Sequence, residues 1–250
     1  MEFSEQALIL RMGKFKEADL WVRFLSPSRG VYTAFAFGGS RSIRRFCGCL
    51  DVLNNVLVRV VESCGRQYLN LKEGTLISGP RRLRKDLNRL GIAVNCLSFI
   101  EAFDLPPESA GPAHNLLSQL LNLLEEEEVL PPMLPMLFRF RFACEQGFSP
   151  RLSACRACQC NSSDLPKAFF QAAEGGLLCP ACFDKSAFAP AVRLDSGALF
   201  TLLGLRQKQL NEWNALDINS EIREQCARAI DDFIEYQVGL SWQGSYFRRN

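Results

Sequence analysis

Val31-Tyr32-Thr33-Ala34-Phe35-Ala36-Phe37-Gly38-Gly39 is the stretch whose pattern sets the fold of the N-terminal part. Large and small residues alternate along it until two glycines stop it, which is the period of a strand. Upstream, Ser26-Pro27-Ser28-Arg29-Gly30 makes a turn, preceded by Leu20-Trp21-Val22-Arg23-Phe24-Leu25, rich in aromatic and branched residues. Ala7-Leu8-Ile9-Leu10 is a further short apolar run. Downstream, Asn55 to Glu62 and Tyr68 to Ile77 read as two more strands, joined near Gly65. Five short strands in so small a space predict a closed barrel, of the OB type in preference to an SH3-like one.

The loops of this barrel carry the charge. Arg11, Lys14 and Lys16 lie between the first two strands. After the glycines comes Ser40-Arg41-Ser42-Ile43-Arg44-Arg45-Phe46. Arginines and serines on a glycine-opened loop suit phosphates, and a phenylalanine among them suits base stacking. Residues 1–90 hold 16 Lys/Arg and 8 Asp/Glu, and residues 91–250 hold 13 and 19, so a half of +8 precedes a half of −6. A basic barrel beside an acidic remainder predicts a polyanion partner for the first.

From Pro80 onward the period changes to that of helices. Arg81, Arg82, Arg84, Lys85 and Arg89 interleave with Leu83, Leu87 and Leu90, whose spacing turns the leucines toward a core. The basic residues either extend a nucleic-acid surface or are solvated. Val94, Leu97, Phe99, Ile100 and Phe103 form the next apolar set, and Leu116, Leu117, Leu120, Leu121 and Leu124 the one after. Glu125 to Glu128 read as a solvated helix end. Met133 to Phe148 reads as a buried helix, Asp195-Ser196-Gly197 starts a helix through Phe200 and Leu205, and Asn219 caps the last one. The domains expected are a barrel at 1–79 and an all-helical domain at 80–250.

That helical domain is interrupted at about 151–190 by Cys155-Arg156-Ala157-Cys158 and Cys179-Pro180-Ala181-Cys182. Two Cys-x-x-Cys turns supply the four corners of a tetrahedron, so Cys155, Cys158, Cys179 and Cys182 predict one structural Zn²⁺ with no open position for catalysis. Gly175-Gly176 precedes the second pair, where a knuckle needs left-handed backbone. Cys160 is a rival to Cys158, and matching knuckles favour Cys158. Such a segment is too short for its own core, and metal binding supplies its folding energy.

Composition is that of a globular protein, 48% hydrophobic and 22% charged. The opening Met1-Glu2-Phe3-Ser4-Glu5 has no basic stretch before an apolar run, so no export signal is expected. Eleven cysteines, an odd count, then point to a reducing cytoplasm. The single histidine, His114, nearly excludes a histidine-based triad or a histidine-ligated catalytic metal. No phosphate-cradling Gly-x-x-x-x-Gly-Lys-Ser/Thr loop and no Gly-x-Ser-x-Gly elbow occurs. The chain reads as a binding protein and not an enzyme.

The order of features resembles one family, the bacterial recombination mediator RecO. The resemblance runs from Gly13–Asp19 and Phe24–Gly30 through Gly38-Gly39-Ser40-Arg41. It continues with Gly147-Phe148-Ser149-Pro150-Arg151-Leu152-Ser153-Ala154-Cys155-Arg156-Ala157-Cys158 and Gly175-Gly176-Leu177-Leu178-Cys179, and ends with Tyr236–Gly239, Ser245 and Phe247. The chain departs from the family at Phe15-Lys16-Glu17-Ala18, where a shorter Gly-Glu-x-Asp turn is usual. The resemblance implies an OB-fold, a helical domain and a zinc knuckle. It also implies binding to single- and double-stranded DNA, strand annealing, partnership with RecR and with the C-terminal tail of single-stranded DNA-binding protein (SSB), and loading of RecA at the nucleoid. A zinc-knuckle RNA-binding protein without annealing activity is the alternative.

Overall fold

The structure, a computed structural model, describes residues 2–63, 68–103, 105–185, 190–216, 218–244 and 246–250. It divides into two compact units, Met1–Ala93 with Phe103–Glu126 and Val94–Ala102 with Glu127–Asn250. The expected turn near Gly65 and the family position Ser245 lie outside the described residues.

The first unit is built on a closed five-stranded barrel of the OB type. Its strands are β1 (Glu2–Lys14), β2 (Leu20–Ser26), β3 (Gly30–Ala36), β4 (Asn55–Glu62) and β5 (Leu69–Ser78), in the order β1-β2-β3-β5-β4. All pairs are antiparallel except β3 with β5, where Ala34 pairs with Leu69 and Phe35 with Asn70. β1 is longer than its apolar run. A bulge between Ile9 and Arg11 bends it, so one strand pairs with β4 along its first half and with β2 along its second. Ile9, Val22, Phe24, Val58, Val60 and Leu71 fill the interior, together with Ala34 and Ala36. β3 thus turns its small residues inward, because the larger side chains of its neighbours already fill a narrow barrel.

Helix α1 (Ile43–Phe46) begins at Ser42, whose hydroxyl accepts the Arg45 N–H. Phe46 is buried in the barrel core with Cys49. The chain reaches β5 there only because position 74 is glycine: a Cβ on Gly74 would meet Cys49 Sγ at 2.9 Å. Phe46 is therefore a core residue, and the expectation that it stacks on bases is corrected. Phe46→Ala is expected to lower the unfolding free energy by about 3–5 kcal/mol, as for other buried phenylalanines. Ile43→Ala, at an 83% exposed position, is expected to change it by less than about 0.5 kcal/mol. Urea denaturation of the two variants checks both.

Helix α2 (Leu87–Ala102) starts in the first unit, and α3 (Ala110–Glu126) packs on the barrel beside β2 and β3. Buried Leu116, Leu117, Leu120, Leu121 and Leu124 form its inner face. Glu125 departs from the solvated helix end expected of it. Its carboxylate accepts the backbone N–H groups of Arg81, Arg82 and Leu83 at 2.8–3.0 Å. Burial raises the Glu125 pKa, and these three donors outweigh that effect and hold it below the usual range. Two of the basic residues at 81–89 are likewise internal. Arg84 reaches Asp51, Asn54 and the Val52 and Pro80 carbonyls, and buried Arg89 reaches Asp86 and the Leu124 carbonyl. Leu87, expected in the core, is 84% exposed.

The second unit holds the rest of α2 and helices α4 (Leu134–Glu145), α5 (Pro180–Phe183), α6 (Ser196–Gln207) and α7 (Ser220–Phe233). Phe99, Phe138, Phe140, Phe142 and Phe233 form an aromatic core, with ring centroids 5.7–6.0 Å apart along its contacts. Asn219 caps α7 as expected, its side chain accepting the Ile222 N–H at 2.9 Å. α6 runs through Phe200 and Leu205 as expected, with Leu205 buried and Phe200 exposed.

This unit is not all helix. Strands β6 (Arg151–Cys155), β7 (Lys167–Gln171), β8 (Gly176–Leu178) and β9 (Val192–Asp195) form a sheet in the order β6-β8-β7-β9, and β10 (Leu240–Trp242) pairs with β11 (Phe247–Arg249). Phe170 of β7 is buried with its ring 6.4 Å from Phe233. The inserted segment is thus pinned to the helical core along one side of its sheet. The cysteines lie at the end of β6, in the turn after it and around α5.

Candidate functional site

Cys155 ends β6, Cys158 and Cys160 follow in a tight turn, Cys179 precedes the short helix α5, and Cys182 lies within it. Gln159 supplies left-handed backbone at φ 62°, which lets the Cys155 N–H donate to the Cys160 carbonyl at 2.9 Å. Gly175, at φ 58°, turns the chain between β7 and β8, and its carbonyl accepts the Arg151 N–H at 2.8 Å. The Phe183 ring stacks on Phe169 at 4.0 Å and 9°. That contact holds α5 against the sheet.

The sulfurs of Cys155, Cys158, Cys160 and Cys179 all lie within 4.8 Å of one another. Cys158 Sγ and Cys179 Sγ are 3.7 Å apart, and a tetrahedral zinc–thiolate site places its sulfurs about 3.8 Å apart given bonds of about 2.3 Å. Cys182, on α5, packs against the buried cluster of Cys155, Leu178 and Cys179. Five thiols therefore converge where four were expected. Three of the expected ligands meet Cys160 directly, and Cys182 borders the same three from α5. The donor set is soft, closed and sulfur-only, which fits zinc.

Electrostatics agree with a cation site. Burial pushes the Cys155 thiol up, but the backbone N–H groups of Cys158, Cys179 and Ala157 outweigh it and hold it down at about 6. The Cys160 backbone likewise lowers Cys158. Cys160 is pushed up to about 12, chiefly by its bond to Cys158, and Cys182 to about 12, chiefly by its bond to Cys179. Metal binding to a thiol cluster displaces the thiol protons.

The basic loops meet on the barrel. The Phe15 N–H donates to the Asp19 carbonyl, closing the β1–β2 loop, and Asp19 Oδ1 accepts the Gly38 N–H at 2.7 Å. Ser40 donates its N–H and its hydroxyl to the Ala18 carbonyl. These bonds bind the loop bearing Lys16 to the loop bearing Arg41, Arg44 and Arg45, while Arg11 and Lys14, expected between the strands, lie in β1 itself because the strand runs past its apolar stretch. Arg11, Lys14, Lys16, Arg41 and Arg44 are all exposed. Arg41 pairs with Glu17 at 2.6 Å, an exposed ion pair of the weak kind that a phosphate displaces. Arg45 plays a different part: it donates to the Phe37 carbonyl at 2.6 Å and to Ser42 Oγ at 3.1 Å, so it braces the loop from inside.

Beside these loops lie aromatic residues that the sequence reading did not single out as functional. Phe35 and Phe37 stand on the outside of the barrel, opposite buried Ala34 and Ala36. The signal was the alternation of the stretch 31–37 itself, in which the large residues were the natural ones to place inside. His114 lies in a partly buried place where burial lowers its pKa and favours the neutral imidazole. No helix among the described residues is long and apolar enough to cross a membrane.

Comparison with known proteins agrees in both units. The family described as "Recombination protein O N terminal" matches residues 1–80, and "Recombination protein O C terminal" matches residues 84–246. The chain is 46% identical over 249 residues to the "DNA repair protein RecO" of Oleidesulfovibrio alaskensis, covering all of both chains. It is 47% identical over 255 residues to the protein of that name in Nitratidesulfovibrio vulgaris, again covering all of both. The corresponding Lawsonia intracellularis protein is 36% identical, with 99% of each chain covered.

Proposed function

The chain belongs to the RecO family of DNA repair proteins, and from that premise we propose that it is a non-enzymatic recombination mediator. It binds single- and double-stranded DNA through its barrel, anneals complementary strands, and with RecR helps load RecA onto DNA coated by SSB. It works in the cytoplasm, at the nucleoid. One zinc ion, held by Cys155, Cys158, Cys179 and either Cys182 or Cys160, fixes the turn between β6 and β7 and the start of α5. The ion does so by satisfying four thiolates at once.

The observation that carries the DNA reading is the union of the two basic loops on one barrel, joined by the Asp19–Gly38 and Ser40–Ala18 bonds. Loops so joined offer a preformed row of cations to a polyanion. The docking of SSB has support in the second unit. A cavity of about 630 Å³ there is lined by Met133, Met136, Ile234 and Trp242, with Arg139 set among acidic Asp231 and Glu235. The Arg139 guanidinium is buried, 3.7 Å from Asp231 and 5.1 Å from the Phe247 ring centre. Apolar walls with a buried cation suit the end of a peptide tail, which carries a carboxylate.

The test is a titration of oligonucleotide binding against salt. If Arg41 and Arg44 each neutralise one phosphate, replacing both by alanine is expected to lower the log–log salt slope for single strands by about 1.4. Affinity is expected to fall alike for unrelated sequences, because phosphate contacts carry no base code. An unchanged slope in the folded double variant rejects this placement of the interface. Equal or tighter binding to the ribose equivalent of the same strand favours the RNA reading.

A further inference from the structure

β3 is built the wrong way round for stability alone. Ala34 and Ala36 are fully buried inside the barrel, whereas Phe35 and Phe37 stand outside and only part-covered. Burying the alanines and leaving the rings at the surface forgoes most of the hydrophobic gain this strand could provide. The outward rings also have company. Phe35 lies 5.2 Å from Phe15, 6.5 Å from Phe37 in a stacked pair, and 5.9 Å from Tyr68. Phe15 is itself 53% exposed.

Register places a further ring in the same row. Gly13 of β1, Trp21 of β2, Phe35 of β3 and Asn70 of β5 are successive cross-strand partners. Trp21 lies against Gly13: a Cβ there would come within 2.7–2.8 Å of three indole ring atoms, so position 13 is clear of a side chain and the indole rests on the strand. Two residues along the strands, on the same face, Arg11 pairs with Arg23. At the other end of the patch, Lys16 Nζ sits 5.7 Å from the Phe15 ring centre. Of the nearby acids, Glu17 is held by Arg41 and Asp19 by the Gly38 N–H.

We propose that Trp21, Phe35 and Phe15 form a stacking platform for the unpaired bases of single-stranded DNA, framed by the cations of the two loops. This rests on the nucleic-acid reading of the barrel and gives it a face. The charge complement argues for this occupant. An apolar protein partner needs no Arg11 on the same face and no Lys16 beside Phe15, whereas a strand lays its phosphates on such cations and its bases on the aromatic centre. A duplex keeps its bases stacked on each other, so the platform discriminates in favour of single strands.

The experiment uses the full chain with oligo(dT) and a duplex of equal length. Phe35→Leu keeps apolar bulk and removes the π face, and Phe15→Ala removes an exposed ring that the fold does not need. Each is expected to weaken oligo(dT) binding about tenfold, with the duplex affinity and the salt slope unchanged. Indole fluorescence is expected to be quenched on oligo(dT) binding, and the quench to vanish in Trp21→Phe. If both variants bind oligo(dT) as tightly as the parent while Arg41→Ala/Arg44→Ala still weakens it, the platform is rejected and the basic interface stands. If the parent protein binds neither nucleic acid, both are rejected. If the variants lose affinity equally for oligo(dT) and duplex, the rings shape the barrel and do not stack on bases, which also rejects the platform.

Discussion

Replacing Cys155 or Cys179 by serine is expected to empty the protein of zinc and to unravel the cysteine-bearing side of the second unit's sheet. Both thiols are buried, and among the described residues the apolar cluster around them is Leu178 with partly buried Leu165, Phe183, Cys160 and Cys182. So small a cluster does not hold two turns and a helix of four residues. Binding free energy in zinc peptides is on the order of 10 kcal/mol and becomes folding energy where no other core exists. The loss is expected to be graded within the segment. β7 and β9 pair with each other, and buried Phe170 and Leu194 tie them to the helical core. Amide exchange is therefore expected to become fast at 155–165 and 176–185 while 167–171 stays protected, and the barrel's exchange is expected to be unchanged. Elemental analysis gives the metal content. Cys160→Ser and Cys182→Ser decide the fourth ligand, because only the true ligand's loss lowers zinc retention under a competing chelator. Wild-type protein purified without chelator and lacking zinc contradicts this account of the segment.

Much of this architecture was legible in the residues. The barrel strands stand out because their apolar runs are bounded by glycine, proline and serine, and each found its place within a few positions. The four cysteines stand out because two Cys-x-x-Cys turns are a chemical pattern that needs no tertiary context. What escaped depends on distant partners. β8 spans only Gly176–Leu178, too short for any period to show. Glu125 reads as one of four surface glutamates until the backbone of residues 81–83 is brought to it. Arg84 and Arg89 resemble their exposed neighbours in every local respect, and only their carbonyl and carboxylate partners draw them inside. Phe46 went to the core and Phe35 to the outer face. Helical spacing in a four-residue turn does not reveal which face meets a barrel opening, and alternation along β3 names two faces without saying which is inner. Cys160 was visible as a rival ligand, and the left-handed backbone at Gln159 is what carries it back to the cluster.

Annealing is the activity on which the whole reading turns. Pairing of complementary strands is downhill, so it requires no nucleotide, and the sequence contains no phosphate-cradling loop to use one. The barrier is the approach of two polyanions. A basic surface lowers it by releasing counterions and holding each strand with its bases accessible. Joined loops serve this better than separate ones, because the cations are already gathered when the second strand arrives. SSB adds a further barrier, and in the proposed function docking on its tail is the step that carries the protein to coated strands.

The most direct measurement is the annealing rate of fluorescently labelled complementary strands coated with cognate SSB, without nucleotide. The wild-type protein is expected to accelerate pairing well above the spontaneous rate. The Arg41→Ala/Arg44→Ala variant, which leaves the bracing Arg45 in place, is expected to return it close to that rate, and deletion of the SSB tail to reduce it. Wild-type protein that binds both strands yet leaves the annealing rate at its spontaneous value would contradict the mediator reading and leave a passive binding protein in its place.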